Sequence, residues 1–112
     1  MTLGKQIREL RIAAHLSQRA LAARVGVSFP HISKIEADIE QASTELLVRI
    51  AKEVGSDADK LLLCAQRVPE ELREAVAAKP ELALRFLRSW RSGHITDADV
   101  QKLIDNDHGE PQ

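Results

Sequence analysis

Between Val25 and Phe29 the chain has only Gly26-Val27-Ser28 in which to end one helical pattern and begin another. That is too little for an ordinary loop, and it fixes what the segment can become. Gly26 can take the positive φ of a tight turn. Ser28 is a good N-cap, because its hydroxyl can accept from a free amide of the next turn. Pro30 follows in the first helical turn, where its missing N–H leaves no bond unmade. Two short helices joined in this way are held at a sharp angle, and the second is presented outward.

The rest of the chain reads as helix, with apolar residues at helical spacing and almost no strand signal. Leu3, Ile7, Leu10 and Ala14 mark a first helix. Ser17 caps a second, Gln18 to Val25, and Ser28 a third that runs to about Ala37 with Ile32 and Ile35 inward. Ser43 caps a fourth, with Leu46, Leu47, Ile50, Ala51 and Val54 inside and Gly55 as its stop. Ser56-x-x-Asp59 reads as a capping box for a fifth helix, Asp57 to about Ala65. Val68-Pro69 interrupts the pattern and opens a second section. Helices are expected there over Pro69 to Ala78 and Glu81 to Ser92. A last helix is capped by Thr96-x-x-Asp99, and the polar tail from Asp105 is expected to fray. The fold class is therefore all-α: five helices over residues 1–67, then a shorter helical section over 68–112.

Charge is unevenly spread over the 112 residues. Residues 1–36 hold Lys5, Arg8, Arg11, Arg19, Arg24 and Lys34 against Glu9 and Glu36, a net +4. Residues 37–60 carry −3 and residues 61–112 carry −2. A basic first third on an acidic chain can turn one face to an anionic partner. No apolar run approaches the ~18 residues of a membrane span, so no membrane partner is expected. A single cysteine, Cys64, excludes an intrachain disulfide, and a reducing cytoplasm is the natural setting. Catalytic and metal chemistry find no support. His15, His31, His94 and His108 lack ligand spacing with one another or with Cys64. The acidic run from Asp97 to His108 lacks the glycine and terminal glutamate of a calcium loop. No enzyme activity and no cofactor are expected.

Four motifs stand in register: Arg8-x-x-Arg11, Leu16-Ser17-Gln18-x-x-Leu21-Ala22, Val25-Gly26-Val27-Ser28 and Ile32-Ser33-Lys34-Ile35-Glu36. With Leu46 to Gly55 continuing the spacing, roughly residues 3–66 resemble the DNA-binding domain of the lambda-repressor/Cro-like family, also called the xenobiotic-response-element family. The resemblance implies a reading head for double-stranded DNA. In it Gln18 contacts a phosphate, with Arg19 and Ser28 as further backbone-side contacts. Phe29, Pro30, Ser33 and Lys34 lie on the outward face of the third helix and meet base edges. Arg11 and Glu36 form an ion pair that orients the first helix against the third. Lys34 is the best candidate for direct readout, since it can donate to guanine O6 and N7. Two placements are open to Phe29: against a thymine methyl or sugar, or against its own second helix. His31 either touches phosphate or stands exposed.

The sequence departs from the family at two helix ends. His15 stands where glycine or asparagine is usual, and Asp38 where glycine is usual. Both residue types tolerate the left-handed conformation better than branched ones do. Asp38 and Glu40 also put negative charge where basic residues often approach DNA. Repressors of this kind act as homodimers on palindromic operators, with half-sites about 34–36 Å apart per helical turn. Leu82, Phe86, Leu87 and Trp90, closed by Val100, Leu103 and Ile104, are the expected dimerisation residues. In the rival reading the chain is an antitoxin or adaptor whose C-terminal helices take a toxin or protease.

Overall fold

A computed structural model describes residues 1–107. All its regular structure among those residues is helical: α1 (Leu3–Ala13), α2 (Gln18–Val25), α3 (Phe29–Glu36), α4 (Thr44–Val54), α5 (Ala58–Cys64), α6 (Glu70–Ala78), α7 (Pro80–Arg91) and α8 (Asp97–Asp107). The chain divides into two units, Met1–Glu70 and the segment from Glu71 onward. No helix among the described residues is long and apolar enough to cross a membrane.

The first unit has one core, to which every one of its helices contributes. Ile7 comes from α1, Leu21, Ala22 and Val25 from α2, and Ile32 and Ile35 from α3. Leu46, Leu47, Ile50 and Ala51 come from α4, Leu61 and Leu62 from α5, and Ala42 from the loop before α4. Val54, expected inside, is only partly buried and packs against the rim of this cluster. Fully burying a Leu or Ile side chain contributes roughly 1.5–3 kcal/mol. The eight largest fully buried residues all lie in this unit, so its stability resides there.

The helix starts follow their caps. Thr2, Ser17, Ser28 and Ser43 each accept a hydrogen bond from a backbone amide three residues on. The start of α5 differs from the sequence reading. Asp57, not Ser56, is the N-cap, and its Oδ1 accepts from the Asp59 amide at 2.9 Å. A carboxylate accepts more strongly than a hydroxyl, and it also complements the positive end of the helix dipole. The box expected at the last helix does form: the Thr96 amide donates to Asp99 Oδ2 at 2.9 Å and the Asp99 amide to Thr96 Oγ1 at 3.1 Å. Hydrogen bonds from the Thr96 backbone amide, and then its side chain, hold the Asp99 carboxyl below its ordinary pKa. Of the tail expected to fray, Asp105 to Asp107 close α8, and the remainder lies outside the described residues.

The helix ends of the first unit share one device. After α1, α3 and α5 a left-handed residue, His15, Asp38 or Gln66, each with φ of 60°, reverses the chain. The next amide then reaches back to a carbonyl of the last turn: Leu16 to Arg11, Ile39 to Lys34, Arg67 to Leu62. This is the Schellman arrangement, built here on residues other than glycine. Asp38 offsets part of its conformational cost, because its Oδ1 accepts from the Gly4 amide at 3.0 Å. The same contact makes Gly4 indispensable. A Cβ there would lie against the Glu36 and Ile35 carbonyls, so α1 and α3 can approach only through a glycine. Gly4→Ala is therefore expected to destabilise the first unit by about 1–3 kcal/mol, because the obstructing atoms are backbone. Urea unfolding of full-length wild-type and variant chains measures this, and unchanged stability would show that α1 can shift freely.

Candidate nucleic-acid interface

The turn between α2 and α3 works as its sequence demands. Gly26 has φ 76°, and the Val27 amide donates to the Ala22 carbonyl at 3.0 Å. Ser28 caps α3 through the His31 amide, with Pro30 in the first turn. Ile32 and Ile35 hold the inner face of α3 in the core, which leaves the opposite face outward. Pro30 and Lys34 are exposed there, and Phe29, His31 and Ser33 are half-buried.

The angle of α3 is locked by a buried carboxylate. Glu36 is 8% exposed. Its Oε2 accepts from Arg11 Nε at 2.7 Å and its Oε1 from Arg11 Nη2 at 3.0 Å, a bidentate pair. Arg11 Nη1 donates to the Leu16 carbonyl at 2.9 Å, and Gln18 Nε2 donates to Glu36 Oε1 at 3.0 Å. One carboxylate thus ties together α1, the start of α2 and the end of α3. No buried side-chain polar atom among the described residues lacks a partner. The role of Gln18 in this network was missed by sequence reasoning. Its spacing gives no signal, because the bond spans 18 residues. That bond engages the Gln18 side chain through its amide nitrogen.

Arg8, Arg11, Gln18, Arg19, Phe29 and Ser33 line an open cleft beside this network. The Arg19 guanidinium lies 4.3 Å from the centre of the Phe29 ring, a cation–π contact. Phe29 also packs against the core. The structure therefore seats the aromatic against its own domain with a cation over it. Arg8 joins these residues although it was read only as part of a motif. Ser28 is exposed at the turn and spends its hydroxyl on the cap.

On the far side of α3 stands an acid. His31 Nδ1 and Glu40 Oε1 are 2.7 Å apart, and Lys34 Nζ lies 3.7 Å from Glu40 Oε2. The His31 hydrogen bond holds the Glu40 carboxyl below its ordinary pKa, and the Lys34 charge adds to this.

The expected dimerisation residues fall into two groups. Phe86 and Val100 are half-buried, with the Phe86 and Trp90 rings 5.9 Å apart. Leu82, Leu87, Trp90, Leu103 and Ile104 are exposed. Trp90 Nε1 donates to Asp97 Oδ1 at 2.7 Å, which fixes the indole while leaving its face open.

A helix-turn-helix family model matches residues 7–61, the same segment that builds the core, the turn and the Glu36 network. The N-terminal domain belongs to the helix-turn-helix family. This domain resembles parts of several named regulators. The propionyl-CoA carboxylase regulator of Cereibacter sphaeroides is 35% identical over 75 residues, 66% of this chain and 16% of that protein. An uncharacterized HTH-type transcriptional regulator of Mycobacterium tuberculosis is 40% identical over 62 residues, 55% of this chain and 44% of that protein. The chain thus spans less than half the length of either relative. In fold, it is similar to a chain of the SinR protein/SinI protein complex, with a TM-score of 0.53 at 19% identity, over 95% of this chain and 94% of that one.

The Glu36 network carries a thermodynamic prediction. Glu36→Ala strands the Arg11 guanidinium in a site where its side chain is only 11% exposed, so the variant is expected to lose about 3–5 kcal/mol. Arg11→Met combined with Glu36→Leu removes both charges and should recover much of that loss. Denaturant unfolding of wild type and the two variants measures both effects. A Glu36→Ala variant as stable as wild type would show that the Arg11 charge is not stranded.

Proposed function

We propose that this chain is a sequence-specific DNA-binding transcriptional regulator, a repressor that acts as a homodimer on a palindromic operator. The observation that carries this reading is the outward face of α3, held at a fixed angle by the Glu36 network beside a cleft that gathers Arg8 and Arg19. The family of the N-terminal domain and the regulator names of its relatives support it. Within it, Lys34, Ser33 and Pro30 meet base edges. Gln18, Arg19, Ser28 and His31 face the sugar–phosphate backbone, and Phe29 contributes through the position it gives Arg19. Arg11 and Glu36 orient the helices and touch no DNA. A repressor then works by occupying the operator, with one head in each of two major-groove half-sites.

Selection of bound sequences from random DNA tests the reading directly. A single palindromic motif is the expected outcome, and absence of enrichment would end it. On the enriched duplex, Lys34→Ala should relax preference at one base position at a cost of roughly 1–3 kcal/mol. Gln18→Ala should weaken binding to every sequence alike. The opposite pattern would show that α3 is not the reading helix.

Dimerisation is assigned to α7 and α8. Neither α6 nor α7 has a fully buried side chain, although α7 carries the chain's only tryptophan and one of its two phenylalanines. Large apolar side chains left open in this way call for a covering surface. A second copy with the same face supplies one and sets the spacing of the two heads. A different protein on the same face is the second reading, favoured by one observation: the similar solved chain belongs to a SinR–SinI complex. Leu82→Glu combined with Leu87→Glu separates the outcomes, because both positions are exposed in the single chain. Sedimentation of the full chain should show a wild-type dimer and a folded monomeric variant with weakened operator binding. A wild-type monomer would move this face to a partner protein.

A further inference from the structure

The acid beside the reading helix is held there by the backbone. After Asp38 turns the chain, the Ile39 and Glu40 amides both donate to the Lys34 carbonyl, at 2.8 and 3.3 Å. The loop is thereby folded back onto the last turn of α3. This fixes the backbone of Glu40 beside α3. Its two oxygens divide between His31 Nδ1 at 2.7 Å and Lys34 Nζ at 3.7 Å. These residues lie one helical turn apart on the same side of α3. Both are reading-face residues under the function proposed above.

Phosphate and carboxylate compete for the same donors. A DNA backbone that draws Lys34 or His31 toward a phosphate must break a pairing already made, and must bring its own charge near a fixed anion. Non-specific binding is almost wholly electrostatic, so it bears that cost in full. A guanine at the right position offers Lys34 two acceptors, O6 and N7, and offsets the same cost. We propose, on the basis of the DNA-regulator reading, that Glu40 is a specificity-determining residue. Its carboxylate holds Lys34 and His31 in a pairing that random-sequence DNA must break at a net loss, so it suppresses non-specific binding more than operator binding. This accounts for an acid at a place where basic residues often approach DNA. The counter-charge is present at neutral pH, as for any exposed glutamate.

The test uses the full chain and two duplexes of equal length, one enriched by selection from random DNA and one of random sequence. Glu40→Gln keeps the size of the side chain and removes its charge. Its affinity for the random duplex should rise roughly three- to tenfold, the span expected for release of two exposed pairings. Affinity for the enriched duplex should rise less, so the ratio of the two falls. Glu9→Gln, the same charge change at an exposed position of α1, controls for net charge and should shift both duplexes by one small factor. In a Lys34→Ala, His31→Ala background the effect of Glu40→Gln should shrink to that of the control. Equal shifts on both duplexes, or a gain that survives in that background, overturn the role of Glu40 while leaving the regulator reading intact. A wild-type chain that enriches no sequence overturns the regulator reading, and the role of Glu40 falls with it.

Discussion

A single carboxylate, Glu36, fixes how the first three helices meet. It belongs to the last turn of α3, yet its partners are Arg11 of α1 and Gln18 at the start of α2. Desolvating an ion pair is costly, and replacing one by apolar residues often leaves a protein as stable or more so. The network is therefore poorly explained as a source of stability. What an apolar trio could not supply is direction: a bidentate guanidinium and an amide fix the carboxylate in both angle and distance. Hydrophobic contact holds Ile32 and Ile35 in the core but tolerates rotation of the helix about its axis. The polar network removes that tolerance, which matters for a helix proposed to meet a groove.

The approach of α1 to α3 adds a second constraint of a different kind. Gly4 lets the backbones come close, Asp38 accepts the Gly4 amide, and the left-handed turn at Asp38 sends the chain back over Lys34. One residue thus closes α3, anchors α1 and positions the segment that carries Glu40. A glycine at position 38 would relieve the backbone conformation, but it would leave the Gly4 amide without its acceptor. The departure from the family's usual glycine is in this sense compensated within the fold.

Most of the first unit was legible because its signals are local. Caps at Ser17, Ser28 and Ser43, glycine stops at Gly26 and Gly55, and apolar spacing need only neighbours within a turn or two. The α5 cap was misplaced by one residue, since Ser56 and Asp57 are both good caps and only packing decides between them. The interface was less legible in proportion to sequence separation. The stacking of Arg19 on Phe29 spans the turn, the Gln18–Glu36 bond spans two helices, and the Gly4–Asp38 bond spans nearly half of the unit. Motif spacing says which face points outward, but not which of its donors are already engaged. Glu40 shows the gap most clearly. In the sequence it stood out only as negative charge close to the expected DNA side; folded, it is the partner of His31 and Lys34 on α3.

The two units follow opposite rules for their apolar residues. In the first, large aliphatics are buried together and the polar groups are organised around them. In the second, α7 has a strongly one-sided sequence, and Leu82, Leu87 and Trp90 remain open on it. Asp97 ties down the Trp90 indole N–H, so the ring keeps its orientation without being covered. An aromatic fixed at its polar end and open on its face loses little conformational freedom when something packs on it, which is the property that makes such residues effective interface anchors. The first unit has its own core, which includes none of these residues. In the proposed homodimer, a covering surface on α7 sets the distance between the two heads, and for a groove reader that distance decides which operators can be bound at all.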